Sequence, residues 1–267
     1  GIRMKAEKDG DEWVLNGQKV WTSGAHFADY GMVVARSDPS ALKHKGLTYF
    51  FLDMKTPGVE AKPIKQISGS ANFNEVFFND VRIPDSQRLG AEGDGWKVAL
   101  TTLMNERLAV GDPPGLDFDQ IFEATKEIEV EDGLAIKNSE VRQKMADWYV
   151  QSRGLQYTKY RSMTALSKGQ TPGPELSISK LVTASKMQEV SSYALDLMDM
   201  AGYVHHDKNP VMRNLFQNGY FFSAAMRIAG GTDEVLRNII AERVLGLPQD
   251  ERPDKKVPFN ELPSGKN

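Results

Sequence analysis

Three clusters in this 267-residue sequence could do chemistry. The first is Asn105-Glu106-Arg107, in a segment where Trp96, Leu100, Leu103, Met104 and Leu108 recur at helical spacing. Stepping by the helical turn from Trp96 places Arg107 inside the apolar stripe, beside Leu100 and Leu103, with Glu106 at its margin. A guanidinium on an apolar face is costly unless a partner or ligand compensates it. A buried ion pair tying the helix to its neighbours and a charged pair serving catalysis explain that placement equally well. The second cluster is Gly230-Gly231-Thr232-Asp233-Glu234, which runs into a helix carrying Val235, Leu236, Ile239 and Ile240. Thr232 or Asp233 can cap that helix, and Glu234 suits its positive end. Capping leaves the two glycines unexplained; they let a ligand approach bare backbone N–H groups. The third is Val20-Trp21-Thr22-Ser23-Gly24. It reads as a strand end packed on a core, or as a flat aromatic wall beside hydroxyl donors of the kind a planar cofactor needs.

Other chemistries lack their parts. Neither GxGxxG nor GxxxxGK[ST] occurs, so no standard nucleotide-phosphate loop is present. His26, His44, His205 and His206 have no second ligand at metal spacing and read as loop or capping residues, so no metal site is expected. There is no cysteine, which removes disulfides, thiolate metal sites and thiol nucleophiles and fits a reducing, cytoplasmic setting. Lys plus Arg number 33 against 36 Asp plus Glu, so charge gives no case for nucleic acid. The most apolar stretch, Tyr220 to Ala229, is interrupted by Ser223 and Arg227, and no membrane insertion is expected. The opening residues GIRMKAEKDGDEW lack the apolar core of a signal peptide.

The elements that must position these clusters fall into two halves. Up to about residue 88 the chain reads as short strands. Asn16-Gly17 is a hairpin signal between two apolar runs, with no element leading into it, and further runs cover Tyr30 to Arg36, Gly46 to Met54, Val59 to Lys65 and Phe73 to Ile83. After Pro84 the period becomes helical: Trp96 to Leu108, Val141 to Ser167, Leu176 to Met200 and Thr232 to Gly246. The expectation is an α+β, multi-domain chain. An antiparallel β-barrel or sandwich domain (1–88) precedes a four-helix up-and-down bundle (89–246) and a polar, proline-rich extended tail (247–267).

The three clusters, in this order, resemble the acyl-CoA dehydrogenase family. NGQKVWTSG is similar to the family's NGxKxWITN flavin segment, FNEVFFNDVRIPDSQRLGAEGDGWKVAL to the junction of its β and helical domains, and MRIAGGTDEVLRNIIAERVLG to its last helix. The family places a helical domain before these two. That domain and the TEPxxGSD-like segment do not occur here, so the resemblance implies the C-terminal part of a longer enzyme, incomplete as a site by itself. It implies FAD as cofactor, with Trp21 against the flavin ring, the Ser23 hydroxyl at flavin N5, Thr22 contributing backbone, and Thr232 and Glu234 at the ADP portion. Arg107 matches an arginine near the acyl-thioester pocket. Many members carry the catalytic glutamate where Gly230 stands; another branch carries it directly before the arginine, which here is Glu106. Glu106 is then the implied base and the Gly230 N–H the implied donor to the thioester oxygen. The implied reaction is α,β-dehydrogenation of an acyl-CoA to a trans-2-enoyl-CoA, with an electron-transfer flavoprotein as acceptor. The family's RxTFG segment has no counterpart in EIEVEDGLAIKNSEVRQKMADW. This raises a second expectation, a non-catalytic or site-sharing subunit paired with an unlike family chain rather than with itself. A flavin monooxygenase or nitroalkane oxidase relative is a third, disfavoured by the glutamate beside the arginine.

Overall fold

The computed structural model describes residues 1–109, 116–170, 173–174, 176–204 and 211–263, and side chains outside 104–115, 171–172, 175–176, 205–213, 253 and 264–267. The chain divides into two compact units: Gly1–Gly111 with Asp250–Asn267, and Asp112–Gln249.

The first unit is built on one seven-stranded sheet. Its strands are β1 (Lys5–Asp9), β2 (Glu12–Ser23), β3 (Tyr30–Arg36), β4 (Leu47–Asp53), β5 (Val59–Ile64), β6 (Phe73–Pro84) and β7 (Arg88–Leu89), in the order β5-β6-β2-β1-β3-β4-β7. Every pair is antiparallel except β1 with β3, which meet in parallel at Lys5 and Arg36. Alternating inward positions supply the core: Leu15, Val33, Ala35, Leu52, Val76, Phe78 and Val81, closed by the rings of Trp13 and Phe50 at 5.3 Å.

Two details differ from the sequence reading. A strand, β1, precedes the expected hairpin, and the reversal lies at Gly10-Asp11, where Asp9 pairs with Glu12 and Gly10 takes φ 64°. Asn16-Gly17 stays inside β2. The Asn16 amide is spent across the sheet on Asp80, which it holds from both ends at 2.9 Å, and Gly17 lets β2 approach Met4 closely. The glycine signal is real, but it serves a bulge in the register between β2 and β6 rather than a turn.

Helix α1 (Gly95–Ala109) packs on β3 and β4 through its smallest residues. Gly95 and Ala99 are buried, and a Cβ on Gly95 would sit 2.6 Å from the Thr48 backbone. Leu100 and Leu103, expected in the buried stripe, are exposed in this chain. The docking surface is backbone at short range, which selects small side chains and turns the leucines away.

The second unit is helical: α2 (Phe118–Thr125), α3 (Ser139–Ser167), α4 (Leu176–Leu197), α5 (Met200–Tyr203), α6 (Val211–Met226) and α7 (Asp233–Ile239), the last continuing as a π turn over Ile240–Val244. A two-stranded hairpin, β8 (Glu129–Val130) and β9 (Gly133–Leu134), precedes α3. Helices α2 and α6 were not read from the sequence. The core joins Ile121 and Ala124 of α2, Val141, Met145 and Trp148 of α3, Met187, Val190 and Ala194 of α4, and Phe216 of α6. Within it Lys186 is buried, donating to Asp117 at 2.6 Å and to Ser152 at 2.8 Å.

Residues 250–263 return to the first unit as an arm. Phe259 N–H donates to Ala41 and Asn260 N–H to Pro39, Lys43 pairs with Asp254, and the buried Arg36 guanidinium lies 3.8 Å over the Phe259 ring. The tail, expected to be extended, carries two 3-10 turns, Pro253–Lys256 and Phe259–Glu261, and it is anchored. No helix among the described residues is long and apolar enough to cross a membrane.

Candidate functional site

The end of β2 is shaped by a second bulge. Lys19 pairs with Val76 and Thr22 with Asn74, so Val20 and Trp21 together face one residue of β6. Trp21 consequently takes φ 60°, a left-handed conformation that costs a bulky residue energy and persists only where its surroundings impose it. The indole is 62% exposed, with Phe73 edge-on at 6.2 Å. An aromatic ring held against its backbone preference, one face open, is a wall for something flat.

Three residues tie down the backbone around the bulge. Asn74 is fully buried; its Nδ2 donates to the Thr22 carbonyl at 2.9 Å and its Oδ1 meets His26 Nδ1 at 3.0 Å. Lys19 Nζ reaches across to the Val34 carbonyl at 2.7 Å, and burial lowers its pKa. Beyond the bulge, Gly24 N–H donates to Asn72 at 2.8 Å and Gly24 turns at φ 66°. The Thr22 carbonyl is therefore committed internally. Ser23 is exposed, and its hydroxyl has no partner among the described residues. An open ring face beside an unengaged hydroxyl fits a planar heterocycle with a hydrogen-bonding edge.

The glycine turn between α6 and α7 forms the second cluster. Gly230 and Gly231 take φ 67° and 104°, which only glycine adopts without strain, and a Cβ on Gly230 would meet nothing. Conformation, not crowding, requires glycine there. Lys180 of α4 donates to the Gly231 carbonyl at 2.6 Å, and burial lowers its pKa. Arg227 bridges to Asp233 and to Gln188, each at 2.7 Å, pinning both ends of the turn to α4. Thr232 caps α7 by accepting from Val235 N–H at 3.3 Å. The Glu234 carboxylate is held below its ordinary pKa by its own backbone amide, then by the Thr232 hydroxyl. Gly230 N–H has no acceptor among the described residues and lies exposed.

The structure thus gathers Trp21, Thr22 and Ser23 at one strand end of the first unit, and Gly230, Thr232 and Glu234 at one turn of the second. Glu106 and Arg107 lie on α1, with side chains outside the described residues. Leu100 and Leu103, the residues expected to make this helix's stripe apolar, are exposed. His205 and His206 are also outside the described residues; among those described, no group of three or more metal-ligating side chains occurs. The sequence reading missed Asn74, Lys19, Lys180 and Arg227. Asn74 carried a signal: in FNEVFF it is the polar residue at an inward position of an alternating strand, where a buried amide must have partners.

Comparison with known proteins identifies both parts. Residues 2–81 match the acyl-CoA dehydrogenase middle domain, and residues 93–245 match the acyl-CoA dehydrogenase C-terminal domain. The chain belongs to the acyl-CoA dehydrogenase family. Acyl-CoA dehydrogenase FadE34 of Mycobacterium tuberculosis is 35% identical over 250 residues, covering 93% of this chain and 33% of the relative. Acyl-CoA dehydrogenase IpdE1 of the same organism is 37% identical over 252 residues, covering 94% of this chain and 64% of the relative. The chain therefore spans between a third and two thirds of these acyl-CoA dehydrogenases. A solved structure of the ChsE4-ChsE5 complex from Mycobacterium tuberculosis shares the fold, with a TM-score of 0.78 at 23% identity over 94% of this chain and 65% of that one. By sequence α1 belongs to the acyl-CoA dehydrogenase C-terminal domain, while by packing it groups with the sheet.

Proposed function

We propose that this chain supplies the flavin-facing wall and the catalytic carboxylate of an FAD-dependent acyl-CoA dehydrogenase that converts an acyl-CoA thioester to the trans-2-enoyl-CoA. The supporting observation is the strained, open Trp21 ring beside the unengaged Ser23 hydroxyl, in a chain of this family. In this reading Trp21 lies against the isoalloxazine, Ser23 donates to its N5 edge, and Thr22 lends backbone. Thr232 and Glu234 meet the ADP portion. Bound FAD would supply the two-electron oxidant that accepts hydride from the substrate β-carbon. The rest falls to the chain's own groups. A thioester α-proton is too weakly acidic for a carboxylate unless the developing enolate oxygen is stabilised, and the open Gly230 N–H is the donor offered. Glu106 takes the α-proton, its basicity raised as substrate expels water, and Arg107 lies near the acyl pocket. The test is spectroscopic. The flavin-loaded protein should bleach on adding an acyl-CoA, and Glu106→Gln should abolish bleaching while retaining flavin. Undiminished bleaching in that variant removes Glu106 from the role.

A second reading is favoured by one feature. The EIEVEDGL region that replaces an RxTFG segment folds as the acidic hairpin β8–β9, and a complex of two unlike chains shares the fold. In this reading the chain shares its site with an unlike family subunit. Co-purification with such a chain, and no flavin without it, would select this alternative.

A further inference from the structure

Between the end of α6 and the start of α7 the glycine turn has almost no hydrogen bonds of its own. Ala229 N–H still reaches back to Ala225 at 2.8 Å, and Asp233 N–H reaches across to Arg227 at 3.2 Å. Among the described residues, the N–H groups of Gly230, Gly231 and Thr232 find no backbone acceptor. Two successive glycines at positive φ are the freest pair a chain can contain, so this backbone alone would sample many shapes.

Side chains supply what the backbone lacks. Arg227 closes the mouth of the turn: its Nε donates to the buried Asp233 carboxylate at 2.7 Å, and its Nη1 to Gln188 of α4 at 2.7 Å. The middle is held at one point, where Lys180 Nζ donates to the Gly231 carbonyl at 2.6 Å. Lys180 and Gln188 belong to the same helix, so one rigid element grips the turn at its mouth and at its middle. A clamp serving stability alone would need only the mouth. A charged side chain committed to the second glycine's carbonyl makes sense if the direction of the neighbouring peptides matters. The exposed Gly230 N–H lies just upstream of that carbonyl on the same turn.

We propose that Lys180 and Arg227 are positioning residues that keep the Gly230 N–H aimed, an assignment that rests on the reading of this N–H as the donor to the thioester oxygen. Lys180 acts by anchoring the Gly231 carbonyl, and Arg227 by fixing both ends of the turn through Asp233. Neither touches substrate. A donor already aimed when charge gathers on the oxygen lowers the barrier, whereas one that must first be ordered does not. The clamp therefore acts on enolate formation and leaves the binding of acyl-CoA itself unchanged.

Two measurements on the full chain separate the clamp from the role it serves. The first needs no ligand: nuclear magnetic resonance of isotope-labelled glycine, with the Gly230 amide signal identified by its loss in Gly230→Ala. The native chain should give one sharp signal. Lys180→Met should broaden or split it, and Lys180→Arg should restore it. Arg227→Gln/Asp233→Asn, which removes both charges and so leaves no buried ion unpaired, should act like Lys180→Met. Lys186→Met, on the same helix but bonded to Asp117 and Ser152 instead, should leave the signal native. The second measurement follows exchange of an acyl-CoA α-proton for solvent deuterium by the flavin-loaded chain, kept reduced so that no hydride can leave. Lys180→Met should slow this exchange about tenfold or more while acyl-CoA affinity stays within about twofold. A Gly230 signal unchanged in both clamp variants overturns the proposal, whatever the exchange does. So does a signal that responds equally to Lys186→Met, or an affinity that falls as far as the exchange rate. A native chain that exchanges no α-proton takes the thioester-oxygen role from Gly230, and with it the purpose of the clamp, even where the amide signal responds as expected.

Discussion

Asn74 decides the geometry of the strand end, because both ends of its amide are used in a place water does not reach. Asn74→Ala strands the Thr22 carbonyl and should cost about 1–3 kcal/mol in chemical denaturation. It should also loosen the Trp21 bulge and weaken flavin binding more than the same stability loss elsewhere in the sheet. A variant that loses stability while binding flavin with native affinity would confine Asn74 to folding. Asp85 contributes to the unit's acid sensitivity. Its carboxylate is held well below the ordinary range by Arg88, then by the Trp13 indole, which donates at 2.7 Å. A carboxylate with a depressed folded pKa stabilises above its unfolded pKa, and that contribution fades as pH falls through the folded one. Stability of the first unit should therefore drop below about pH 4, and Asp85→Asn should flatten that drop, followed by Trp fluorescence. At this scale the sequence disclosed which residues are unusual and little of what surrounds them. Trp21-Thr22-Ser23 could be picked out by type. The bulge that opens Trp21 depends on a register set by residues some fifty positions away on β6, which no local pattern contains.

Helix α1 shows how an element can be read correctly and oriented wrongly. Its helical period was plain, but the face it buries is set by the contact between Gly95 and the β4 backbone rather than by leucine spacing. Gly95→Ala should cost about 1–3 kcal/mol by overpacking and displace the helix that carries Glu106. Thermal unfolding gives the first effect and loss of acyl-CoA-dependent flavin bleaching the second. Helix α6 escaped notice because Gly219, Tyr220, Phe221 and Phe222 favour other structure; it is held by tertiary packing, with Gly219 set close to Leu116 and Ser191. Helix α2 had a readable start, the Asp117–Gln120 capping box, but spans only eight residues. Asp117 also neutralises Lys186. Partial burial pushes its pKa up, but hydrogen bonds from Lys186, Ser152 and the Phe118 amide hold it below the ordinary value overall. Asp117→Ala leaves a buried ammonium without its anion and should destabilise the helical unit by about 3 kcal/mol. Lys186→Met, which removes the charge and keeps the volume, should cost less in the same urea titration.

For the molecule as a whole, the sequence disclosed the order, a β part and then a helical part, because a change of period is visible without tertiary information. The anchoring of the tail was not visible, since it rests on Arg36, which reads as an ordinary charge at a strand end until Phe259 is laid across it. Ending the chain after Gln249 removes Phe259, the Asp254 partner of Lys43 and the Leu42–Pro258 bridge. Calorimetry should then show a lowered transition for the first unit and an unchanged one for the helical unit. The returning arm also makes the helical unit an insertion within the other unit's contour. The ion pair between Lys43 and Asp254 spans 211 positions, so the first unit can complete its contacts only after the helical unit's chain has been synthesised.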